Sequence, residues 1–435
     1  MTSIGRVGRN LGRVASGEAI IAALGFLTLS LNTRSLGIAD FGMLIVIQSV
    51  ADLMNKFVSF QTWQAMTRFG AIDLQRGNFA NLRAHYWFGL LLDTIAALIA
   101  TALAIATFKF FGASFGLPPE YAHLGIIFAA SGIFSGTSTS IGVMRLTDRF
   151  GRAILIQVAG SSLLLLTAIK LYLMQADICL YVYAIGAVSA GTGLAMILAG
   201  GLRVTQLTRG KTNSRSGGGR SRRAFLQFAF ATSASGTLNS LRQRGELLAV
   251  AALLGPQAAG LYGVSYRLAS LLSRFAEAGR QSIYPELASL IAKDELSSAL
   301  KLVLKTSVLA LAISFPLFVG TAMFGDHALV WLFGQSYEKA YPSLIWLMIS
   351  SLTYASAFSL APFVQMVRGP GYFLKLNILS FLFFVLGSIL GPYYLRESGA
   401  GLGAATFSFA LISLLGYQAF LLARRTVANA QAKLH

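Results

Sequence analysis

The sequence predicts an all-α polytopic membrane protein with about twelve transmembrane helices in two six-helix bundles. Three observations support this: an apolar composition, long apolar runs at regular spacing, and an uneven distribution of basic residues. Hydrophobic types make up 55% of the 435 residues and charged types 12%, whereas a soluble domain has about 25% charged residues. The net charge of +19 suits basic loops on one side of a membrane better than a nucleic-acid surface, because so apolar a chain has little solvated surface.

Residue types that support catalysis or metal binding are scarce. Cys179 is the only cysteine, so the chain cannot form an intrachain disulfide or a cysteine-based metal site. The four histidines are scattered, and no phosphate-binding GxxxxGK[ST] loop, GxSxG or paired CxxC motif occurs. We therefore predict no catalytic residues, no metal site and no organic cofactor.

Twelve apolar runs are each about long enough to cross a bilayer, which takes ~20 residues per helix. The first follows three arginines as a signal peptide would, but no A-x-A-like cleavage site follows it, so it is counted as a span. The runs lie near 14–33, 41–63, 84–110, 121–144, 154–174, 179–202, 225–254, 258–284, 301–324, 341–367, 374–395 and 401–423.

The distribution of basic residues predicts the orientation of these spans. With the N-terminus inside, 22 of the 35 Lys and Arg residues fall in cytoplasmic segments, and only Arg34, Lys339 and Arg396 fall outside. Short cytoplasmic loops carry the excess of Lys and Arg in membrane proteins. Both termini are therefore predicted to be cytoplasmic.

A repeat of half the chain predicts two related lobes. Leu36-Gly37 followed by Gly42 matches Leu254-Gly255 followed by Gly260. Six helices in each half place the lobes in the same orientation, related by a pseudo-two-fold axis along the membrane normal. The predicted domains are an N-terminal lobe at 1–210, a basic cytoplasmic linker at 211–224 and a C-terminal lobe at 225–435.

The linker region is strongly basic. Seven basic residues and no acid lie from Arg203 to Arg223, which favours contact with anionic membrane lipids. Because no aromatic residues alternate with these charges, we do not expect nucleic-acid binding.

Ionisable residues inside spans are the candidate functional residues, since each costs roughly 2.5–3.5 kcal/mol at a helix centre. Arg242, Arg244, Arg267 and Arg274 lie in the seventh and eighth spans. Arg267 and Arg274 share a helix face, whereas Arg244 lies about 200° from Arg242 on an ideal helix. The seventh helix is therefore irregular near Gly245, or one arginine points elsewhere. An excess of arginine here favours an anion site over pairing networks that hold the helices together.

Among the ionisable residues inside spans, carboxylates outnumber basic residues in the first half of the chain. Glu18, Asp52 and Asp93 lie in its spans, and Lys56 follows Asp52 by four residues in the order that favours a local ion pair. A structural pair and a functional carboxylate are both consistent with this spacing.

Three stretches resemble the O-antigen and exopolysaccharide flippases of the multidrug/oligosaccharidyl-lipid/polysaccharide exporter superfamily. The second half opens with Glu246-Leu247-Leu248, continues through Leu254-Gly255-Pro256-Gln257-Ala258-Ala259-Gly260-Leu261-Tyr262 and reaches Tyr266-Arg267-Leu268. Leu36-Gly37-Ile38-Ala39-Asp40-Phe41-Gly42 is similar to the first-half counterpart, and Gly399-Ala400-Gly401-Leu402-Gly403-Ala404-Ala405 is similar to the start of the last helix.

The resemblance implies translocation of undecaprenyl-pyrophosphate-linked oligosaccharide from the cytoplasmic to the periplasmic leaflet of a bacterial inner membrane, for O-antigen or exopolysaccharide synthesis. It implies alternating access coupled to Na⁺ or H⁺, and work alongside polysaccharide polymerase and assembly proteins. Arg242, Arg244, Arg267 and Arg274 are then expected to bind the diphosphate, because the guanidinium fork suits phosphate. Glu18, Asp52 and Asp93 are the candidates for ion coupling.

Three alternatives remain open from the sequence. A drug or cation antiporter of the same superfamily would need a carboxylate-rich cavity in the second half. A membrane polysaccharide polymerase or ligase would need a large external loop. A scramblase or channel would work without an ion gradient.

Overall fold

Helices form nearly the whole of the computed structural model, which describes residues 3–147, 149–210, 219–293 and 295–432. Within these ranges there is no strand. Five 3₁₀ turns link some of the helices, at Ala113–Phe115, Pro119–Tyr121, Gly132–Ser135, Gln335–Ala340 and Arg396–Gly399. The α-helices are α1 (Ser3–Val58), α2 (Thr62–Gln75), α3 (Phe79–Phe111), α4 (Ala122–Ser131), α5 (Ser138–Leu146), α6 (Phe150–Leu173), α7 (Ile178–Thr208), α8 (Gly219–Leu254), α9 (Pro256–Ala292), α10 (Leu296–Phe333), α11 (Tyr341–Ser356), α12 (Leu360–Arg368), α13 (Pro370–Leu395) and α14 (Leu402–Ala432).

These helices confirm the predicted all-α polytopic fold class. Eight helices of the described chain are long and apolar enough to span a membrane, and a ninth span results if Gln335–Ser356 and α12, which meet at 54°, are counted together. This count of nine is three below the twelve spans predicted from the sequence. The 56-residue α1 contains the first two, and the charged α8 and α9 correspond to the seventh and eighth.

Many large apolar side chains lie on the surface, as lipid contact requires. Trp331 is 76% exposed, Leu173 75% and Phe110 73%. Only 11% of the most apolar part of α10 is buried inside the protein. Since soluble proteins rarely expose contiguous apolar patches of this kind, these surfaces are expected to face hydrocarbon.

The repeated glycines adopt the same unusual backbone conformation. Gly37 breaks α1 with φ 69° and ψ −178°, and Gly255 separates α8 from α9 with φ 88° and ψ 176°. This region of the Ramachandran plot is almost confined to glycine, because any side chain would be strained there. The shared conformation supports the predicted duplication.

Alanine at either repeated glycine should destabilise the protein through the backbone alone. No atom lies within 4 Å of a Cβ built on Gly37 or Gly255, so steric overlap is not involved. We expect Gly37→Ala and Gly255→Ala each to cost about 1–3 kcal/mol, seen as a lower unfolding temperature of the purified protein.

Gly25 and Gly416 provide matched controls for this prediction. Both lie in regular helix, and a Cβ on either would also meet nothing within 4 Å. Alanine favours helix by up to about 1 kcal/mol over glycine, so Gly25→Ala and Gly416→Ala should be neutral or stabilising. Equal losses in all four variants would show that the positive φ is not the cause.

Helix contacts divide the chain into two compact units, Met1–Gly245 and Glu246–His435. The start of α8 belongs to the first unit, since Phe225 and Ala229 are buried in its core. The Phe225 ring stacks on that of His85 at 5.5 Å, and His85 Nδ1 lies 2.7 Å from Asp73 Oδ2 in a buried pair. Residues 211–218 of the predicted linker lie outside the described residues, and the domain boundaries at 210 and 225 stay a prediction.

The second unit has its own apolar core. It is formed where α9, α10, α12, α13 and α14 pack together, and its most buried members are Leu287, Ala299, Phe363, Val364 and Leu415. This core packs the middle of α14 against the other four helices.

Candidate functional site

Arg244 of α8 forms an ion pair with Asp52 of α1 in the first unit. Arg244 Nη2 donates to Asp52 Oδ2 at 2.7 Å, and the two side chains are 34% and 51% exposed. A guanidinium has five N–H donors, so one bond to Asp52 leaves capacity for a second acceptor. The pair thus combines an anion-binding group with a cation-binding group at one accessible position.

The pairing partner of Asp52 differs from the one that its spacing favours. The four-residue separation from Lys56 favours a local pair, whereas the structure joins Asp52 to Arg244, 192 residues away. No irregularity is found in α8 near Gly245. Arg242 and Arg244 therefore point to different sides of a regular helix, which resolves the two alternatives left by their spacing.

The other predicted arginines are distributed over both units. Arg242 is half-buried in the first unit, and Arg267 is exposed on α9 in the second. Arg274 lies on α9 as well, but its side chain is outside the described part of the structure. Convergence of all four arginines on one anion stays a prediction.

Asp93 is a buried carboxylate between three helices of the first unit. It is 4% exposed on α3, accepts a hydrogen bond from Thr62 Oγ1 at 2.6 Å, and accepts another from the backbone N–H of Thr139 at 2.7 Å. Thr62 and Thr139 stand in the first turns of α2 and α5, where backbone N–H groups lack helical partners. The Asp93 carboxylate therefore caps the N-terminus of α5 and accepts a hydrogen bond from the side chain of the first residue of α2.

Glu18 lies in a cavity of the first unit that is lined by both apolar and polar side chains. The cavity has a volume of about 410 Å³ and also contains Ser135, Thr137, Gln157 and Thr192. The Glu18 side chain is exposed. Of the three predicted coupling carboxylates, Glu18 and Asp52 are therefore reachable by a hydrated cation, whereas Asp93 is enclosed.

Glu246 is a buried carboxylate that the sequence did not single out as a site residue. It is 1% exposed, accepts from Tyr262 Oη at 3.0 Å and accepts from the backbone N–H of Ala404 at 3.0 Å. A Cβ on Gly403 would lie 2.8 Å from Glu246 Oε1, so a glycine is needed beside it. The carboxylate sits at the N-terminus of α14, where the helix dipole favours negative charge.

The residues around Glu246 unite two of the stretches that carry the family resemblance. Glu246 and Tyr262 lie at the ends of the second-half stretch, and Ala404 lies in the glycine- and alanine-rich stretch before the last helix. The available signal was an acid directly before the apolar run Leu247-Leu248. Only the fold shows that a tyrosine and a helix start lie within bonding distance of it.

A family model described as "Polysaccharide biosynthesis protein" matches residues 7–291. The chain belongs to this family. A curated relative of this polysaccharide biosynthesis protein is the "Inner membrane protein YghQ" of Escherichia coli strain K12, which is 31% identical over 142 residues. That alignment covers 33% of this chain and 40% of the relative, so it spans well under half of the relative's length.

Solved structures of transporters share the fold of this polysaccharide biosynthesis protein. An inward-facing multidrug resistance MATE family transporter of the MOP superfamily has a TM-score of 0.72 at 14% identity, with 95% of this chain and 99% of that chain covered. The lipid II flippase MurJ, in an inward closed conformation, has a TM-score of 0.67 at 13% identity, with 93% and 86% covered. A MOP superfamily transporter from Pyrococcus furiosus, described as having a binding pocket of reverse polarity, has a TM-score of 0.60 at 16% identity, with 96% and 95% covered.

These findings establish the class of the protein. It is a multi-pass membrane protein of a polysaccharide biosynthesis family with the fold of MOP superfamily transporters. The solved proteins that share this fold are transporters, among them a flippase.

Proposed function

We propose that the protein is a flippase that moves undecaprenyl-pyrophosphate-linked oligosaccharide from the cytoplasmic to the periplasmic leaflet of a bacterial inner membrane. The family supports a role in polysaccharide synthesis, and the fold is shared with a flippase whose substrate, lipid II, is a lipid. The relative from E. coli is an inner membrane protein. The translocated lipid-linked oligosaccharide would supply O-antigen or exopolysaccharide synthesis. Polysaccharide polymerase and assembly proteins are therefore the expected partners.

The observation that carries the proposal is the accessible ion pair between Arg244 and Asp52. Arginine binds phosphate oxygens through parallel N–H donors, and such charge-assisted bonds are stronger than neutral ones. A diphosphate carries more negative charge than a single carboxylate, so it competes well for Arg244. An exposed ion pair contributes only about 0–1 kcal/mol, and Asp52 is therefore easily displaced.

Displacement of Asp52 offers a direct link between substrate and ion. When the diphosphate head group binds Arg244, the carboxylate of Asp52 loses its cationic partner. Asp52 itself lies in a membrane-spanning segment, α1. An uncompensated charge there is costly, so a bound H⁺ or Na⁺ would take the place of the lost partner. Head-group binding and ion binding then favour each other, as linkage between two sites requires.

The other carboxylates suit this coupling in different ways. Glu18 lies in a cavity that is large enough for a hydrated cation and offers several polar side chains beside it. Asp93 accepts hydrogen bonds from two neighbouring helices, and the Gly136 backbone packs against it, since a Cβ there would lie 3.1 Å from Asp93 O. A hard metal cation needs several oxygen ligands, so Asp93 suits a proton better than Na⁺.

A drug or cation antiporter is the second candidate, and the Glu18 cavity is the observation that favours it. A carboxylate among polar side chains could hold an organic cation within the first unit. Arg244 argues against this candidate, because it places positive charge where an antiporter for cations would need negative charge.

The test of the proposed function is reconstitution into liposomes that contain fluorescent undecaprenyl-pyrophosphate-linked oligosaccharide. Leaflet exchange is followed with a membrane-impermeant quencher, with and without Na⁺ or H⁺ gradients, against protein-free liposomes. Exchange that a gradient accelerates is the expected result. No exchange in any condition, together with gradient-driven uptake of a cationic dye, would refute the flippase and favour the antiporter. Exchange that no gradient affects would identify a scramblase.

A further inference from the structure

Three arginines meet at one end of the first unit, away from the residues discussed above. Arg149 directly precedes α6, Arg152 lies in the first turn of α6, and Arg203 lies near the end of α7. Arg203 Nε donates to Thr147 Oγ1 at 3.2 Å, in the segment between α5 and α6. Arg149 is held in place as well, because its backbone N–H donates to the Met144 carbonyl oxygen at 2.9 Å. The guanidinium of Arg203 is therefore held beside the start of α6.

Among the described residues, no acidic side chain forms an ion pair with this cluster. The Arg152 N–H donates to the Arg149 carbonyl oxygen at 3.0 Å, so both arginines lie close in the chain to Thr147, which holds Arg203. Asp148, next to Arg149 in the sequence, lies outside the described residues, and one aspartate cannot neutralise three arginines. This arrangement costs free energy unless an anion is present, since like charges in proximity destabilise the folded state.

The start of α6 adds to the imbalance. A helix N-terminus carries about half a positive elementary charge, and acidic residues normally occupy its first turn. The first turn of α6 contains no acid and has Arg152 instead. Backbone N–H groups and arginines that converge in this way form the usual protein environment of a phosphate group.

The surface beside the cluster is suited to acyl chains. On α6, Leu155 follows Arg152 by one turn and is 66% exposed; on α7, Leu202 adjoins Arg203 and is 63% exposed, and Leu198 is 56% exposed. Exposed leucines immediately next to a cationic cluster match the two parts of a phospholipid. Inorganic phosphate has no apolar part that could contact these leucines.

We propose that Arg149, Arg152 and Arg203 form a binding site for the phosphate of an anionic phospholipid, whose acyl chains lie along the exposed leucines of α6 and α7. The distribution of basic residues predicts that this end of the unit is cytoplasmic, where anionic lipid head groups attract basic segments. The site is separate from Arg244 and needs no translocation of the lipid that it holds. Binding at this site would make the first unit more stable in a membrane that contains anionic lipids.

The test is a thermal unfolding titration of the full-length protein, purified in neutral detergent. Dihexanoyl-phosphatidylglycerol, dihexanoyl-phosphatidylcholine and inorganic phosphate are titrated in parallel. We expect phosphatidylglycerol to raise the unfolding temperature of the wild type. The variant Arg149→Gln/Arg152→Gln/Arg203→Gln should bind it about tenfold more weakly or worse, because the charge-assisted contacts are lost. Thr147→Val, which only releases Arg203, should show a smaller loss.

The control variant, Arg76→Gln/Arg83→Gln/Lys293→Gln, removes the same number of positive charges from exposed positions elsewhere. It should keep the wild-type response. Without lipid, the cluster variant should unfold at the wild-type temperature or above, because repulsion is relieved, and this separates a lost site from a damaged fold. An unchanged affinity in the cluster variant, an equal loss in the control, or equal stabilisation by inorganic phosphate would each overturn the proposal.

Discussion

Arg244→Glu should abolish translocation of lipid-linked oligosaccharide, with a loss of at least about 100-fold in the liposome assay. The substitution places a carboxylate where the diphosphate would bind and opposite Asp52. Like charges brought together at a binding site cost several kcal/mol, and each 1.4 kcal/mol corresponds to a factor of ten in affinity. The measurement is the initial rate of leaflet exchange at matched protein density, with folding checked by size-exclusion chromatography.

Arg223→Glu is the matched control for this charge reversal. Arg223 is exposed near the start of the same helix, α8, and has no place in the proposed head-group site. We expect its exchange rate to stay within about twofold of the wild type, since surface substitutions usually change little. If Arg244→Glu transported at the rate of Arg223→Glu, Arg244 would not bind the head group.

Asp52→Asn separates head-group binding from coupling. Loss of the competing carboxylate should tighten binding of the lipid diphosphate by up to about fivefold, the value of an exposed ion pair. The same variant should lose the acceleration by a Na⁺ or H⁺ gradient, because an amide neither binds a proton nor carries a charge for Na⁺. Wild-type gradient dependence in Asp52→Asn would exclude Asp52 and leave Glu18 and Asp93 as the coupling candidates of the first unit.

Glu246→Ala should cause the largest loss of stability of any single change considered. It removes the acceptor for the Ala404 N–H and the Tyr262 hydroxyl, two groups enclosed in the second unit. A buried donor left without an acceptor costs about 1–3 kcal/mol, so we expect a total of about 2–6 kcal/mol. The readout is the unfolding temperature in detergent and the yield of monodisperse protein.

Two milder variants show whether the carboxylate acts through these bonds. Tyr262→Phe removes one donor and keeps the ring, so it should lose about 1 kcal/mol. Glu246→Gln keeps an acceptor for the Ala404 N–H and should lie between the wild type and Glu246→Ala. If Glu246→Gln were as stable as the wild type yet transported without response to a gradient, Glu246 would be a coupling residue as well as a structural one.

The sequence was most informative where a single residue type has one physical explanation. Gly37 and Gly255 were matched by position alone, and both adopt a conformation that suits only glycine. The apolar runs predicted the helices for a similar reason, because a bilayer sets a minimum length for each span. At α1 the count is consistent with the structure, since the non-helical backbone of Gly37 divides α1 into two segments that correspond to the first two predicted spans.

Side-chain partners were the part that local spacing could not supply. The sequence favoured Lys56 as the partner of Asp52, whereas the fold supplies Arg244 from a distant helix. Glu246 shows the same limitation, because its partners Tyr262 and Ala404 come from α9 and α14. Spacing along one helix identifies neighbours at three and four residues, but nothing in it encodes which other helix packs alongside.

By itself, the sequence determined the class of this protein: apolar runs and an excess of arginine specify a multi-pass membrane protein with charge concentrated in a few helices. The tertiary structure decided what those charges do. It pairs Arg244 with Asp52 at an accessible position, encloses Asp93 and Glu246 at helix starts, and holds Arg203 on Thr147 near Arg149 and Arg152. The physical reason is that hydropathy is a property of each segment, whereas the environment of a charge depends on helices that meet only when the chain has folded.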